Sequence, residues 1–161
     1  MAGGNQYCTF LVDGQYFGVD VLKVQEVIRY QEMTRVPLAH PVVRGLINLR
    51  GQVVTAIDLR RRLDLADRPG DQLPVNVVVQ TDDGAVSLLV DEIGDVLEAP
   101  EQLFERPPET LKGTARELIR GAYKLLDRLL LILYTERTVN LTSGDQDSER
   151  EKWSPGPHET V

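Results

Sequence analysis

Cysteine is almost missing from this 161-residue chain: Cys8 is the only one, so no internal disulfide can form. Its neighbours Tyr7, Thr9 and Phe10 place it in a strand, where a free thiol packs as a small buried hydrophobe. Histidine is nearly as scarce. His40 and His158 lie far apart, and neither sits among carboxylates at ligand spacing, so the sequence assembles no zinc site and no nucleophile–base pair. Basic residues number 18 against 25 acids, and the net charge of −7 opposes the attraction to phosphate on which nucleic-acid binders depend. Aromatic residues make up 6% of the chain, which leaves no run of rings for base stacking. No Gly-rich phosphate loop is written in the sequence. No apolar run reaches the roughly 18 residues of a membrane span, and the N-terminal stretch lacks a basic region followed by an apolar one. These gaps predict a soluble, cytoplasmic protein with no metal, no cofactor and no nucleic-acid partner.

Hydrophobic residues make up 42% of the chain, enough for one ordinary core or two small ones. They are arranged in a duplicated pattern. "TFLVDGQYFGVDV" is two apolar runs joined at Asp13-Gly14, and "VVVQTDDGAVSLLVD" is two more joined at Asp82-Asp83-Gly84. Asp-Gly between apolar runs favours a tight hairpin, because Gly accepts positive φ. Val19-Asp20 is followed by Glu26-Val27 much as Val90-Asp91 is followed by Asp95-Val96, and "RGLINLRGQVVTAI" aligns without a gap on "RGAYKLLDRLLLIL". Short strands at close spacing suggest small barrels. The pattern predicts a mainly β protein of two five-stranded barrels packed together, the first over about 7–66 and the second over about 73–135, with packing on the first from the C-terminal part. The segment 64–74, "DLADRPGDQLP", has the composition of the connection between them. Helical periodicity is confined to "DVLKVQEVI", where Val21, Val24, Val27 and Ile28 share a face, and "PETLKGTARELI", where Leu111, Ala115, Leu118 and Ile119 do. Beyond Leu141 the pattern ends, and the acidic, Ser-, Gly- and Pro-containing segment 142–161 is expected to be disordered.

Little in this pattern is chemistry. Asp20, Glu26, Asp58 and Asp91 read as solvated or turn-capping acids, since acid–base work needs two carboxylates brought together in a pocket. Arg60-Arg61-Arg62 after a strand reads as a solvated helical turn, with an acidic partner as the alternative. Arg50 stands apart. It precedes Gly51 in "NLRG", so a hairpin turn would display its guanidinium for contact with a partner, or for pairing with a neighbouring acid. Asn48, in the same turn, is suited to bonding backbone.

"YFGVDVLKVQEVI", "TRVPLAHPVVRGLINLRGQVVTAIDLRRRL", "LLVDEIGDVLEA" and "RGAYKLLDRLLLILYTERTV" together resemble the CheW family of chemotaxis coupling proteins, from Tyr7 to Leu141. The resemblance implies two SH3-like barrels with short helices, and a non-enzymatic adaptor that joins the histidine kinase CheA, through its regulatory domain, to the cytoplasmic tips of chemoreceptors in arrays at the inner membrane. It places receptor binding on Val24, Glu26, Arg44, Asn48 and Arg50, lining a groove between the barrels. Kinase binding would fall on an apolar end of the first barrel, around Val27, Ile28 and Val36. Many members have Pro where this chain has Thr55, and the segment after Leu141 has no counterpart; Trp153 there is a candidate anchor or an incidental aromatic. A small interaction barrel in another two-component or motility pathway is the alternative. A barrel enzyme or a nucleic-acid-binding barrel fits the acidic, aromatic-poor composition less well.

Overall fold

The computed structural model describes residues 5–141. Ten strands are formed there: β1 (Asn5–Val12), β2 (Gln15–Asp20), β3 (Val24–Ile28), β4 (Val43–Leu49), β5 (Gln52–Asp58), β6 (Val75–Thr81), β7 (Gly84–Val90), β8 (Glu92–Ala99), β9 (Ile119–Lys124) and β10 (Leu129–Leu133). The helices α1 (Leu59–Arg62), α2 (Gly113–Leu118) and α3 (Thr135–Val139) are each under two turns long. The strands make two five-stranded sheets, in the orders β8-β1-β2-β10-β9 and β3-β6-β7-β5-β4.

These orders are related by the duplication. Adding five to each strand number of the second sheet up to β5, and subtracting five from β6 and β7, converts its order into that of the first. The barrels are therefore not consecutive over 7–66 and 73–135. Each takes its opening hairpin from one half of the chain and its other three strands from the other half. The exchange runs through parallel pairs, β2 with β10 (Phe17 opposite Leu131) and β7 with β5 (Leu88 opposite Ile57). Its physical reason lies in the hairpins. "YCTFLV", "YFGV", "VVV" and "SLLV" are nearly continuous apolar runs, which call for burial on both faces, and the exchange seats each hairpin inside the other half's sheet. The segment 64–74 consequently leads from β5 and α1 to β6, a strand of the same sheet as β5, and is no boundary between barrels.

Three apolar clusters follow from the alternation of side chains along these strands. Phe10, Val12, Phe17 and Val19 of the first sheet meet Ile57, Val77, Val79, Leu88 and Val90 of the second in the largest, which joins the two sheets. Residues of opposite phase turn inward, with Tyr7, Tyr16, Tyr123, Leu130 and Ile132 in the first sheet and Ile47, Leu49, Val54 and Val78 in the second. Burial of each large aliphatic side chain here contributes roughly 1.5–3 kcal/mol. Cys8 is buried in the joining cluster, and burial pushes its thiol above the ordinary range, as its strand neighbours led one to expect.

The ends of each sheet are brought together by matching two-hydrogen-bond bridges, Thr34 with Leu46 and Glu105 with Ala122, so both sheets curl into barrels. A glycine precedes the bridged residue in each case. A Cβ on Gly45 would lie 2.7 Å from the Thr34 carbonyl oxygen, and one on Gly121 would lie 2.5 Å from the Glu105 carbonyl oxygen and 2.3 Å from the Phe104 ring. Backbone and a packed ring yield little room. Gly121→Ala is therefore expected to cost about 1–3 kcal/mol, the usual range for overpacking, read as a lowered urea midpoint. A change within ~0.5 kcal/mol would show that the bridge segment moves aside freely.

Two helical expectations resolve differently. Residues 113–118 do form α2, but "DVLKVQEVI" makes only a 3-10 turn, Val21–Lys23, capped by the Asp20 carboxylate accepting from the Leu22 N–H, and then continues as β3. Val24, Val27 and Ile28 are β-branched, and pairing with β6 outweighs their helical spacing. The expectations for 142–161, including Trp153 and His158, lie outside the described residues.

Candidate functional site

The β4–β5 turn displays an exposed arginine. Arg50 (φ +52°) and Gly51 (φ +89°) both lie in the left-handed region, as a two-residue hairpin turn matched to strand twist requires. The Asn48 side-chain oxygen accepts from the Gly51 N–H at 2.8 Å, so Asn48 shapes the tip. The turn projects the Arg50 side chain, 71% exposed, toward β3, where its Nη2 donates to Oε2 of Glu26. Hydrogen bonding from Arg50, and then from Gln25, holds the Glu26 carboxyl below the usual range, and the same contact raises the Arg50 guanidinium above its own. Because β3 and β4 are the two outer strands of their sheet, this pair ties the barrel at its tip.

Arg44, Leu46 and Asn48 alternate along β4 on the face away from the interior, which puts Arg44 about 13 Å from Asn48 at the strand rise of roughly 3.3 Å. Arg44 Nη1 donates to Oδ2 of Asp58 at 3.0 Å. Asp58 is fully buried and also caps α1, its Oδ1 accepting from the Arg60 N–H. Of the five residues expected at the receptor surface, Glu26, Asn48 and Arg50 form the tip, and Arg44 sits farther along the same strand. Val24 is half-buried against the joining cluster. Of the three residues expected to face a kinase, Val27 and Val36 are exposed, whereas Ile28 turns inward onto the cluster of Ile47, Leu49, Val54 and Val78. Neighbours on a strand point to opposite faces, so Val27 and Ile28 cannot share one surface.

The arginine triplet departs most from its expected role. It does form a helical turn, α1, but Arg60 and Arg62 are buried. Arg60 makes a bidentate contact with Asp91, Nε to Oδ1 at 3.0 Å and Nη2 to Oδ2 at 2.6 Å, and Arg68 reaches the same carboxylate from segment 64–74. Asp91 also accepts from the Asp13 N–H at 2.7 Å, which fixes the β1–β2 turn of the other barrel against this cluster. Burial alone would raise the Asp91 carboxyl, but the hydrogen bonds from Arg60, Asp13 and Arg68 outweigh it and hold the group below the ordinary aspartate range. Arg62 donates to the carbonyls of Thr138, Arg137 and Asn140 at the C-terminus of α3. Arg60 and Arg62 thus fasten one barrel to the other, while Arg61 stays exposed and bonds Asp67 and the Pro41 carbonyl. No sequence signal distinguishes this from a solvated turn, because the carboxylate partner Asp91 lies 31 residues away.

Chemically, such a site can bind but offers little else. Among the described residues no three His, Cys, Asp or Glu side chains cluster as a metal ion would require, and no helix is long and apolar enough to cross a membrane. A family model described as a CheW-like domain matches residues 6–142. The chain is 33% identical over 130 residues to the chemotaxis protein CheW of Bacillus subtilis, covering 81% of this chain and 83% of the relative. It is 29% identical over 137 residues to the CheW of Klebsiella aerogenes, covering 85% and 82%. The crystal structure of the scaffolding protein TtCheW from Thermoanaerobacter tengcongensis has the same fold, with a TM-score of 0.76 at 24% identity over 85% of this chain and 88% of that one.

Proposed function

The chain belongs to the CheW-like family of chemotaxis adaptors, and from that premise we propose that it couples chemoreceptors to the histidine kinase CheA without catalysing a reaction itself. The observation that carries this reading is the tip formed by Glu26, Asn48 and Arg50. A turn held by its own hydrogen bond displays a guanidinium that spends only Nη2 on a neighbouring carboxylate, leaving donors for a partner. Recognition by a rigid surface with few movable parts costs little ordering entropy on binding. The receptor's helical hairpin docks on this tip and on Arg44, and the protein joins receptor arrays at the inner membrane through these contacts.

The regulatory domain of CheA binds elsewhere on the same barrel, with Val27 and Val36 as exposed apolar anchors. Calorimetry with that domain separates anchor from core. Val27→Asp is expected to lower its affinity by about thirtyfold, as for a hot-spot residue, with the melting temperature unchanged. Ile28→Asp should instead unfold the barrel, since it places a charge in an apolar cluster. Undiminished kinase binding by the Val27 variant would move the kinase surface away from β3. Pull-down of the purified protein with both partners tests the function itself, and retention of neither by folded protein would refute it.

A further inference from the structure

The segment between β3 and β4 forms one wall of a cavity of about 390 Å³ on the second barrel, lined by Tyr30, Met33, Arg35, Val43, Arg44 and Arg61. The wall is tied down at three points. The Asn76 side-chain nitrogen donates to the Arg29 carbonyl at 3.0 Å, Thr34 bridges to Leu46, and Arg61 Nη1 donates to the Pro41 carbonyl at 3.0 Å. The cavity is therefore shaped before any ligand arrives, which keeps the ordering cost of binding low.

Three guanidiniums line this cavity in a chain whose net charge is −7. Two of them are held by acids. Arg44 Nη1 donates to Asp58, and Arg61 donates from Nε and Nη2 to Asp67. Arg35 is exposed and has no hydrogen-bond or ion-pair partner among the described residues. A guanidinium carries five N–H donors, so after these bonds all three arginines retain donors. Planar forks of this kind match a carboxylate better than ammonium groups do, and Tyr30, Met33 and Val43 offer less polar lining for the stem that carries it.

Arg44 connects the cavity to the tip. It stands on the same outer face of β4 as Asn48, about 13 Å along the strand, so a helix laid along that face covers the tip and the cavity together. We infer that the cavity lined by Arg35, Arg44 and Arg61 receives an acidic side chain of the receptor's helical hairpin, with Arg35 as its ion-pair partner. The inference rests on the reading of the tip as the receptor surface, and adds a second anchor to it. Arg44 and Arg61 are fixed by their own acids and shape the site, whereas Arg35 is left to pair with the incoming carboxylate. The basic cavity also offsets locally the repulsion that an acidic segment meets from a chain of negative net charge.

Binding of the receptor's cytoplasmic hairpin fragment is measured by calorimetry at about 25 mM and about 500 mM salt, between which the Debye length falls from roughly 20 Å to roughly 4 Å. At low salt Arg35→Gln should weaken binding about two- to fivefold, the range of a single exposed ion pair, and Arg35→Glu about tenfold or more. Both losses should shrink at high salt, with the melting temperature unchanged, because Arg35 holds no other part of the fold. Neutralising the hairpin's acids one at a time, carboxylate to amide, then identifies the partner group. One such change should weaken binding as Arg35→Gln does, and the two combined should cost no more than either alone. Replacing that acid by lysine should restore binding to Arg35→Glu. Losses that add for every acid of the hairpin overturn the site, since Arg35 would then act only at long range. If Arg50→Ala loses receptor affinity and Arg35→Glu does not, the cavity is overturned and the tip stands. A fragment that the folded, unaltered protein fails to bind overturns both. Val36 is next to Arg35 in sequence, so a loss confined to the regulatory domain of CheA would assign the cavity to the kinase and overturn the inference.

Discussion

Arg50→Ala is expected to lower affinity for the receptor tip about thirtyfold, the loss of roughly 2 kcal/mol usual for a hot-spot arginine, and to leave the melting temperature nearly unchanged. The second half follows from the turn. Arg50 already occupies a left-handed conformation, so Ala inherits the same backbone strain and adds none. The ion pair with Glu26 is solvent-facing, and pairs of that kind contribute little to folding. Arg50→Gly sharpens the test, because Gly accepts positive φ without a Cβ clash. It should lose the same affinity without any fall in thermal stability, a combination that a folding defect cannot produce. Arg50→Glu should bind receptor still less, since it sets two carboxylates side by side with Glu26. Kinase affinity should survive all three. Titration calorimetry with both partners reads the outcome, and unchanged receptor binding by Arg50→Ala would return this arginine to a surface ion pair with no partner role.

Asp91→Ala should be the most destabilising single change outside the apolar clusters. It leaves the guanidiniums of Arg60 and Arg68 buried without their common carboxylate, and breaking a buried pair from one side costs about 3–5 kcal/mol. It also removes the acceptor of the Asp13 N–H, loosening the β1–β2 turn from the other barrel. A pH dependence accompanies this. The folded carboxyl titrates below its unfolded value of about 3.9, so its contribution is complete above that pH and disappears as pH falls through the folded value. Urea unfolding should show the unaltered protein losing stability below about pH 4, with a shallower loss in Asp91→Asn, which has no carboxylate to protonate. A cost under ~1 kcal/mol for Asp91→Ala would mean that the Asp91 cluster adds nothing to the apolar cluster and the Arg62 contacts that hold the barrels together.

Much of this architecture could be read from residue order, because local rules decide it. The Asp-Gly turns, the strand at Cys8, the hairpin at Arg50-Gly51 and the equivalence of Gly45 with Gly121 all rest on interactions within a few residues, and each is found where the pattern puts it. The exchange of hairpins between the halves could not be read in this way. Apolar alternation says which face of a strand is buried, but not which of two similar sheets receives it, and the duplicated halves offer each hairpin two nearly equivalent seats. Val21 to Ile28 failed for another reason: a nine-residue window fits both helical and strand periods, and only the partner strand β6 decides. In the candidate site, Arg50 and Asn48 were legible from the turn itself. The pairing of Arg50 with Glu26, 24 residues earlier, and of Arg60 with Asp91 depends on contacts that barrel closure creates.

The central claim, that this protein couples a receptor to a kinase, is tested most directly by reconstitution. Receptor-dependent control of kinase autophosphorylation should be measured in membranes holding the receptor and CheA, with the protein present, absent, or replaced by Arg50→Glu. Control should appear only with the unaltered protein and should be lost with Arg50→Glu, although that variant still binds the kinase. Equal receptor control of the kinase in all three mixtures would contradict the account.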